Sequence, residues 1–121
     1  MELFHYLTLF YIPAPYTSPG NVQITASTSS SLTISWDEIH CANRNGIITG
    51  YPYELYLKSD INTALLTSTT TSTSVTISSG LTPDTEYFIR VAAKTNAGSG
   101  SWSNYVSLQT MAVSKYMNEG Q

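Results

Sequence analysis

The 121-residue chain holds a single cysteine, Cys41, and two histidines, His5 and His40. One cysteine cannot close an internal disulfide, so the fold must be held by its core alone. Zinc wants several spaced ligands, such as paired Cys-x2-Cys, and a lone cysteine cannot supply them. His40-Cys41, near Asp37-Glu38, is the one place where metal or thiolate chemistry suggests itself. Neighbours along an extended loop point their side chains apart, so neither a ligand cage nor a Cys–His pair converges there. The segment from 37 to 46 reads as a solvated polar loop whose thiol has no role. The alternative is a thiol that pairs with another molecule. No catalytic residue, metal ligand or cofactor site is expected, and no small-molecule substrate.

Charge is scarce too. Asp, Glu, Lys and Arg make up 11% of the chain, against a usual ~25%. The net charge is -3, and the five cations Arg44, Lys58, Arg90, Lys94 and Lys115 are scattered. Nucleic-acid binding leaves a clustered basic footprint, so that class of partner is excluded. Long apolar runs are missing as well. Residues 3–12 are apolar and aromatic but stop at Pro13-Ala14-Pro15, far short of the ~20 residues of a membrane span. As a signal peptide the segment lacks a basic start, carries Glu2 and puts Pro15 after the small residue. Residues 1–17 therefore read as a linker remnant or a weak signal, and residues 112–121 as a flexible polar tail. There is no Asn-x-Ser/Thr sequon and no Arg-Gly-Asp, so neither N-glycosylation nor that integrin-binding signal is implied.

What is present is an aromatic, alternating sequence. Nine tyrosines and a 41% hydrophobic fraction fit a folded domain rather than a disordered chain. Alternation with period two dominates and helical periodicity is nearly absent. Val22, Ile24 and Ala26 share one face of a first strand, after the turn signal Ser18-Pro19-Gly20-Asn21. Leu32, Ile34 and Trp36 alternate with Thr33 and Ser35, the cleanest strand of the chain. A third runs from Ile48 to Leu57 with Pro52 inside it. Proline cannot donate to a ladder, so its nitrogen must face away from a partner or the strand must start later. Leu65-Leu66 suits a short edge strand. Residues 67–79 are nearly all Ser and Thr, with Val75 and Ile77 two apart. Mucin-like stalks usually carry proline, and β-branched threonines suit a strand, so a strand is the better reading. Tyr87, Ile89, Val91 and Ala93 mark the inner face of a long strand, residues 96–100 a flexible loop, and Val106, Leu108 and Thr110 a last strand. Six or seven short strands with turns between them predict an all-β sandwich.

The order of motifs resembles the fibronectin type III family over residues 19–111. Ser31-Leu32-Thr33-Ile34-Ser35-Trp36 is similar to its second strand with the core tryptophan. Gly50-Tyr51 resembles the pair in its third strand, and Gly80-Leu81-Thr82-Pro83-Asp84-Thr85-Glu86-Tyr87 its tyrosine-corner turn. Asn96-Ala97-Gly98-Ser99-Gly100 resembles its last loop. The resemblance implies an immunoglobulin-like, seven-stranded antiparallel β-sandwich over residues 18–111. Its core would be Trp36, Tyr51, Leu81, Tyr87, Ile34 and Val91, with Tyr87 hydrogen-bonding back to the backbone. Trp102-Ser103-Asn104-Tyr105 resembles half of the Trp-Ser-x-Trp-Ser motif of cytokine receptors, but the paired cysteines of those receptors are missing.

The resemblance implies a protein-binding or adhesion module of a larger cell-surface or extracellular protein, touching a membrane only through that parent. The alternatives are a structural spacer and an intracellular cytoskeletal scaffold module. The interaction loop it points to contains Gly98, Gly100, Trp102 and Tyr105. Trp102 is expected to pack along the final strand at the rim of the core, the rival being an exposed anchor. An apolar patch around Trp102, Tyr105 or Tyr56 favours binding, and a uniformly polar Ser/Thr surface favours a spacer.

Overall fold

The computed structural model describes residues 17–39 and 47–113. The expectations placed on residues 1–16, on His40 and Cys41, and on the tail beyond Val113 lie outside the described residues. In chain order the strands are β1 (Gln23–Ser27), β2 (Leu32–Ser35), β3 (Tyr51–Leu57), β4 (Leu66–Thr70), β5 (Ser74–Ile77), β6 (Glu86–Val91), β7 (Lys94–Thr95), β8 (Gly98–Ser99) and β9 (Val106–Gln109). Seven of them make two antiparallel sheets, ordered β1-β2-β5 and β4-β3-β6-β9, and β7-β8 is a separate two-residue ladder. The described residues contain no helix.

Alternation decides what lies between the sheets. Leu32, Ile34, Trp36 and Ile77 come from one sheet, and Tyr51, Tyr53, Leu55, Tyr87, Ile89, Val91 and Leu108 from the other; all are buried in one cluster. Trp36 meets Tyr51 edge to face, with ring centroids 5.7 Å apart, a favoured aromatic geometry. Leu81 is only partly buried and packs on the margin of this cluster. Ile39 is buried with it, anchoring the chain just past Trp36.

Tyr87 starts its strand with the ring inward and only 1% exposed. Its hydroxyl accepts the Thr82 N–H at 2.8 Å, which fastens the preceding turn to the core. Thr110, also buried, grips the same turn from the residue just past β9. Its hydroxyl accepts the Thr85 N–H at 3.0 Å and donates to the Thr82 carbonyl at 2.6 Å. Tyr87→Phe is expected to cost about 1–2 kcal/mol, because the Thr82 N–H loses a part-buried acceptor. Urea unfolding at constant m-value is the measurement.

The structure corrects four sequence expectations. Ala26 does not share a face with Ile24: the β1–β2 register slips between them. Ile24 therefore pairs with buried Ile34, while Ala26 pairs with Thr33 on the outer side, as a β-bulge dictates. The Ser/Thr run is two strands, not one, with residues 67–70 belonging to β4 and Val75 and Ile77 to β5 in the opposite sheet. Residues 96–100 are not a free loop but the turn and return of the β7–β8 hairpin. The third strand begins at Tyr51 rather than Ile48.

Pro52 lies inside β3 and shapes the strand beside it. Ala92 N–H donates to the Pro52 carbonyl at 2.9 Å, but the proline nitrogen has no hydrogen to return. β6 ends at Val91, and pairing resumes only at the Gly50–Lys94 bridge. The half-made pair thus separates β6 from β7. Gly50 is needed at that crossing, since a Cβ there would sit 2.9 Å from Thr69 Cγ2.

Candidate functional site

Period-two geometry gives the four-stranded sheet a second, outward face. Register puts Glu54 opposite Arg90 and Tyr56 opposite Phe88, and places Phe88 beside Ser107 of β9. One residue before β9, Tyr105 reaches the same face, its ring 5.7 Å from that of Tyr56 and 5.4 Å from that of Phe88. The segment from 102 to 105 is held without a regular strand by Ser103. Its N–H donates to the Val91 carbonyl at 2.8 Å, and its hydroxyl accepts the Val91 N–H at 3.0 Å. Trp102 and Tyr105 are thereby fixed on either side of that anchor.

Arg90 is the centre of this face. Its guanidinium carbon lies 4.5 Å from the Trp102 ring centroid, 5.2 Å from Tyr105 and 5.7 Å from Tyr56, within cation–π range of all three. The Glu54 carboxylate accepts from Arg90 Nε at 3.0 Å and from its terminal nitrogen at 2.8 Å. Tyr56 Oη donates to the same carboxylate at 2.6 Å. Tyr56 is only 6% exposed although it faces away from the core. The outer face therefore has a small packed layer of its own, with Tyr105, 37% exposed, and half-buried Phe88 towards solvent. At its margin Lys58 pairs with Glu86 at 3.3 Å and stands 5.8 Å over the Phe88 ring.

These contacts set the electrostatics. The Tyr56 hydrogen bond, with the hydrogen bond and charge of Arg90, outweighs burial and holds the Glu54 carboxyl below its usual value. The same bond to Glu54, with burial, pushes the Tyr56 phenol up. A carboxyl with a depressed folded pKa stabilises the fold fully above its unfolded value, about 4.3, and loses that contribution as pH falls through the folded value. The melting-temperature advantage of the native protein over Glu54→Gln is thus expected to be flat near neutrality and to shrink only below about pH 4.3. Paired melts from neutral to acid pH measure it.

The structure thus gathers Trp102, Tyr105 and Tyr56 into one patch, and adds Arg90, Glu54 and Phe88, which sequence reasoning did not single out. Trp102 is half-buried, with the Arg90 guanidinium 4.5 Å from its ring. Gly98 and Gly100 have backbone tasks instead. Gly98 opens β8 directly after the turn at a φ of 132°, where an L side chain is strained. The Gly100 N–H donates to the Ala93 carbonyl at 2.8 Å. Among the described residues no three His, Cys, Asp or Glu side chains gather as a metal site requires.

A three-strand sheet packed on a four-strand sheet, with a tyrosine corner and no helix, defines an immunoglobulin-like β-sandwich module. The chain belongs to the fibronectin type III family: the family model described as "Fibronectin type III domain" matches residues 17–109. It is 39% identical over 100 residues to receptor-type tyrosine-protein phosphatase F of Mus musculus, covering 82% of this chain and 5% of that protein. It is 42% identical over 97 residues to chitinase A1 of Niallia circulans, covering 79% of this chain and 12% of that protein. The solution structure of the third fibronectin III domain of the human KIAA0343 protein superposes with a TM-score of 0.71 at 22% identity, covering 87% of this chain and 90% of that one. The chain spans a small fraction of the curated relatives it matches, and the part it matches is a non-catalytic module.

Proposed function

We propose that this chain is a non-catalytic protein-interaction or adhesion module, one piece of a larger cell-surface or extracellular protein. Its binding surface is the outer face of the β4-β3-β6-β9 sheet. The observation that carries this reading is the ring cage around Arg90, with Trp102, Tyr105 and Tyr56 on the guanidinium and Phe88 against Tyr105. Tryptophan, tyrosine and arginine are the residues that dominate the binding energy of protein interfaces. A pre-packed cage also presents them with little rotamer entropy left to lose. A pure spacer needs no such arrangement on a solvent face. Similarity to a receptor-type phosphatase supports a surface-exposed parent protein, and the partner is a protein rather than a nucleic acid or small molecule.

The test is binding of the chain, tetramerised on streptavidin, to intact cells, with and without trypsin treatment of the cells. Saturable binding that trypsin abolishes and Tyr105→Ala weakens at least tenfold is the expected result. Binding that is absent, or untouched by Tyr105→Ala in a chain that still folds, leaves the spacer reading in its place.

A further inference from the structure

We propose that β4 is an open pairing edge, through which two copies of this chain join antiparallel about a two-fold axis at Ser68. The two sheets end in four edge strands, β1, β5, β4 and β9, and unpaired edges invite pairing unless something blunts them. β1 is interrupted by its bulge. The outer side of β9 is partly occupied: Ser27 Oγ donates to the Gln109 carbonyl at 2.8 Å and the Met111 N–H to the Thr28 carbonyl at 3.0 Å. Among the described residues β4 has no such device. It runs five residues in unbroken register with β3, without proline or charge. Residues 61–83, which include β4 and β5, contain no Asp, Glu, Lys or Arg at all. β5 shares this bareness but is one residue shorter, and the residue just before β4, Leu65, is an exposed large apolar side chain at 48%.

Register identifies the free groups. Ala92 N–H donates to Pro52 and Lys58 N–H to Glu86, so the even-numbered residues of β3 aim their backbone at β6. The odd ones, Tyr51 and Tyr53, must then bond β4 at Thr70 and Ser68, while the Leu55 carbonyl accepts the Leu65 N–H at 2.7 Å just before the strand. Thr67 and Thr69 then point their N–H and C=O off the edge, with no partner among the described residues. A two-fold axis at Ser68 sets Thr67 of one copy opposite Thr69 of the other, exchanging backbone bonds in a hydrogen-bonded pair. Two β-branched hydroxyl residues make a favourable cross-strand pair. In such a self-complementary contact a charge on the axis, at position 68, would meet its own like, and charges of one sign at 67 and 69 would face each other. The missing charge fits a second copy, whereas a strand from a charged foreign partner would find nothing to answer it. A contact this short belongs to the small, transient class of interfaces.

Sedimentation velocity of the full 121-residue chain, from about 10 μM to about 1 mM, covers that class. A monomer–dimer equilibrium is expected. Thr67→Lys with Thr69→Lys, both at exposed positions, sets like charges opposite and should weaken dimerisation at least tenfold. Thr67→Lys with Thr69→Glu sets opposite charges face to face in the same register and should restore or exceed it. Unchanged melting temperatures show that both variants fold. A monomer throughout the range, a dimer indifferent to the double lysine, or a Lys/Glu variant that stays monomeric overturns the proposal. A dimer that Tyr105→Ala dissolves instead places the contact on the aromatic face and overturns it as well. So does a monomer that binds a short Val/Thr peptide, since the edge then serves another protein's strand.

Discussion

Replacing Trp36 with alanine is expected to lower stability by about 3–5 kcal/mol, the range for deleting a large buried aromatic. The ring is 4% exposed and bridges the sheets against Tyr51. The cluster around it comes from rigid strands that cannot close on the space left behind. A lone cysteine offers no intersheet disulfide to absorb the loss, and small domains have only about 5–15 kcal/mol in total. Trp36→Ala should therefore shift the urea midpoint by a large fraction of its value with little change in m. Trp36→Phe separates packing from polarity. Trp36 Nε1 is buried with no hydrogen-bond partner among the described residues, so losing that N–H removes an unpaid desolvation cost. Phenylalanine should lose clearly less than alanine. Equal losses would mean that the indole N–H, not the ring, holds the position.

Trp36, Tyr51, Ile34, Tyr87 and Val91 are legible in the sequence because each sits in an alternating run whose hydrophobic face has one possible direction. Ala26 is not, because a bulge leaves composition unchanged while inverting the face. Residues 67–79 give no face at all, since Ser and Thr serve either side of a sheet. Only the turn between β4 and β5 separates strands that lie in different sheets. Thr110 reads as the end of a strand, and its grip on the Thr82–Thr85 turn depends on contacts 25 and 28 residues away. The outer face is half legible. Trp102, Tyr105 and Tyr56 stand out as aromatics, but Arg90 and Glu54 look like ordinary polar positions of two strands. That β3 and β6 are neighbours in register is what makes them partners, and a single sequence carries no lateral information of that kind. The signal that was available is spacing: Glu54 and Arg90 are each flanked by core residues in alternation, so both had to face out.

Arg90→Ala is expected to cost about 2–3 kcal/mol, well above the 0–1 of an ordinary surface ion pair. The difference comes from partial burial, with the Arg90 and Glu54 side chains 25% and 18% exposed. Removing the guanidinium takes away two hydrogen bonds to Glu54 and leaves a carboxylate among aromatic rings with Tyr56, at 2.6 Å, as its remaining side-chain donor among the described residues. An ion stripped of its partner in such a place costs more than the pair contributed, and the cation–π contacts to three rings are lost with it. Arg90→Lys keeps the charge but not the planar fork that stacks and bonds at once, so it should recover less than half of the loss. A double-mutant cycle with Glu54→Gln isolates the pair. Once Glu54 is neutral, removing Arg90 should cost about 1–2 kcal/mol less than it does in the native protein. The fluorescence of Trp102, recorded in a Trp36→Phe background, reports the cage itself: its emission should move to the red when the guanidinium that covers the ring is gone. Additive stability losses with unmoved emission would reduce Arg90 to a solvated surface charge, and the cage would no longer be a reason to place binding on this face.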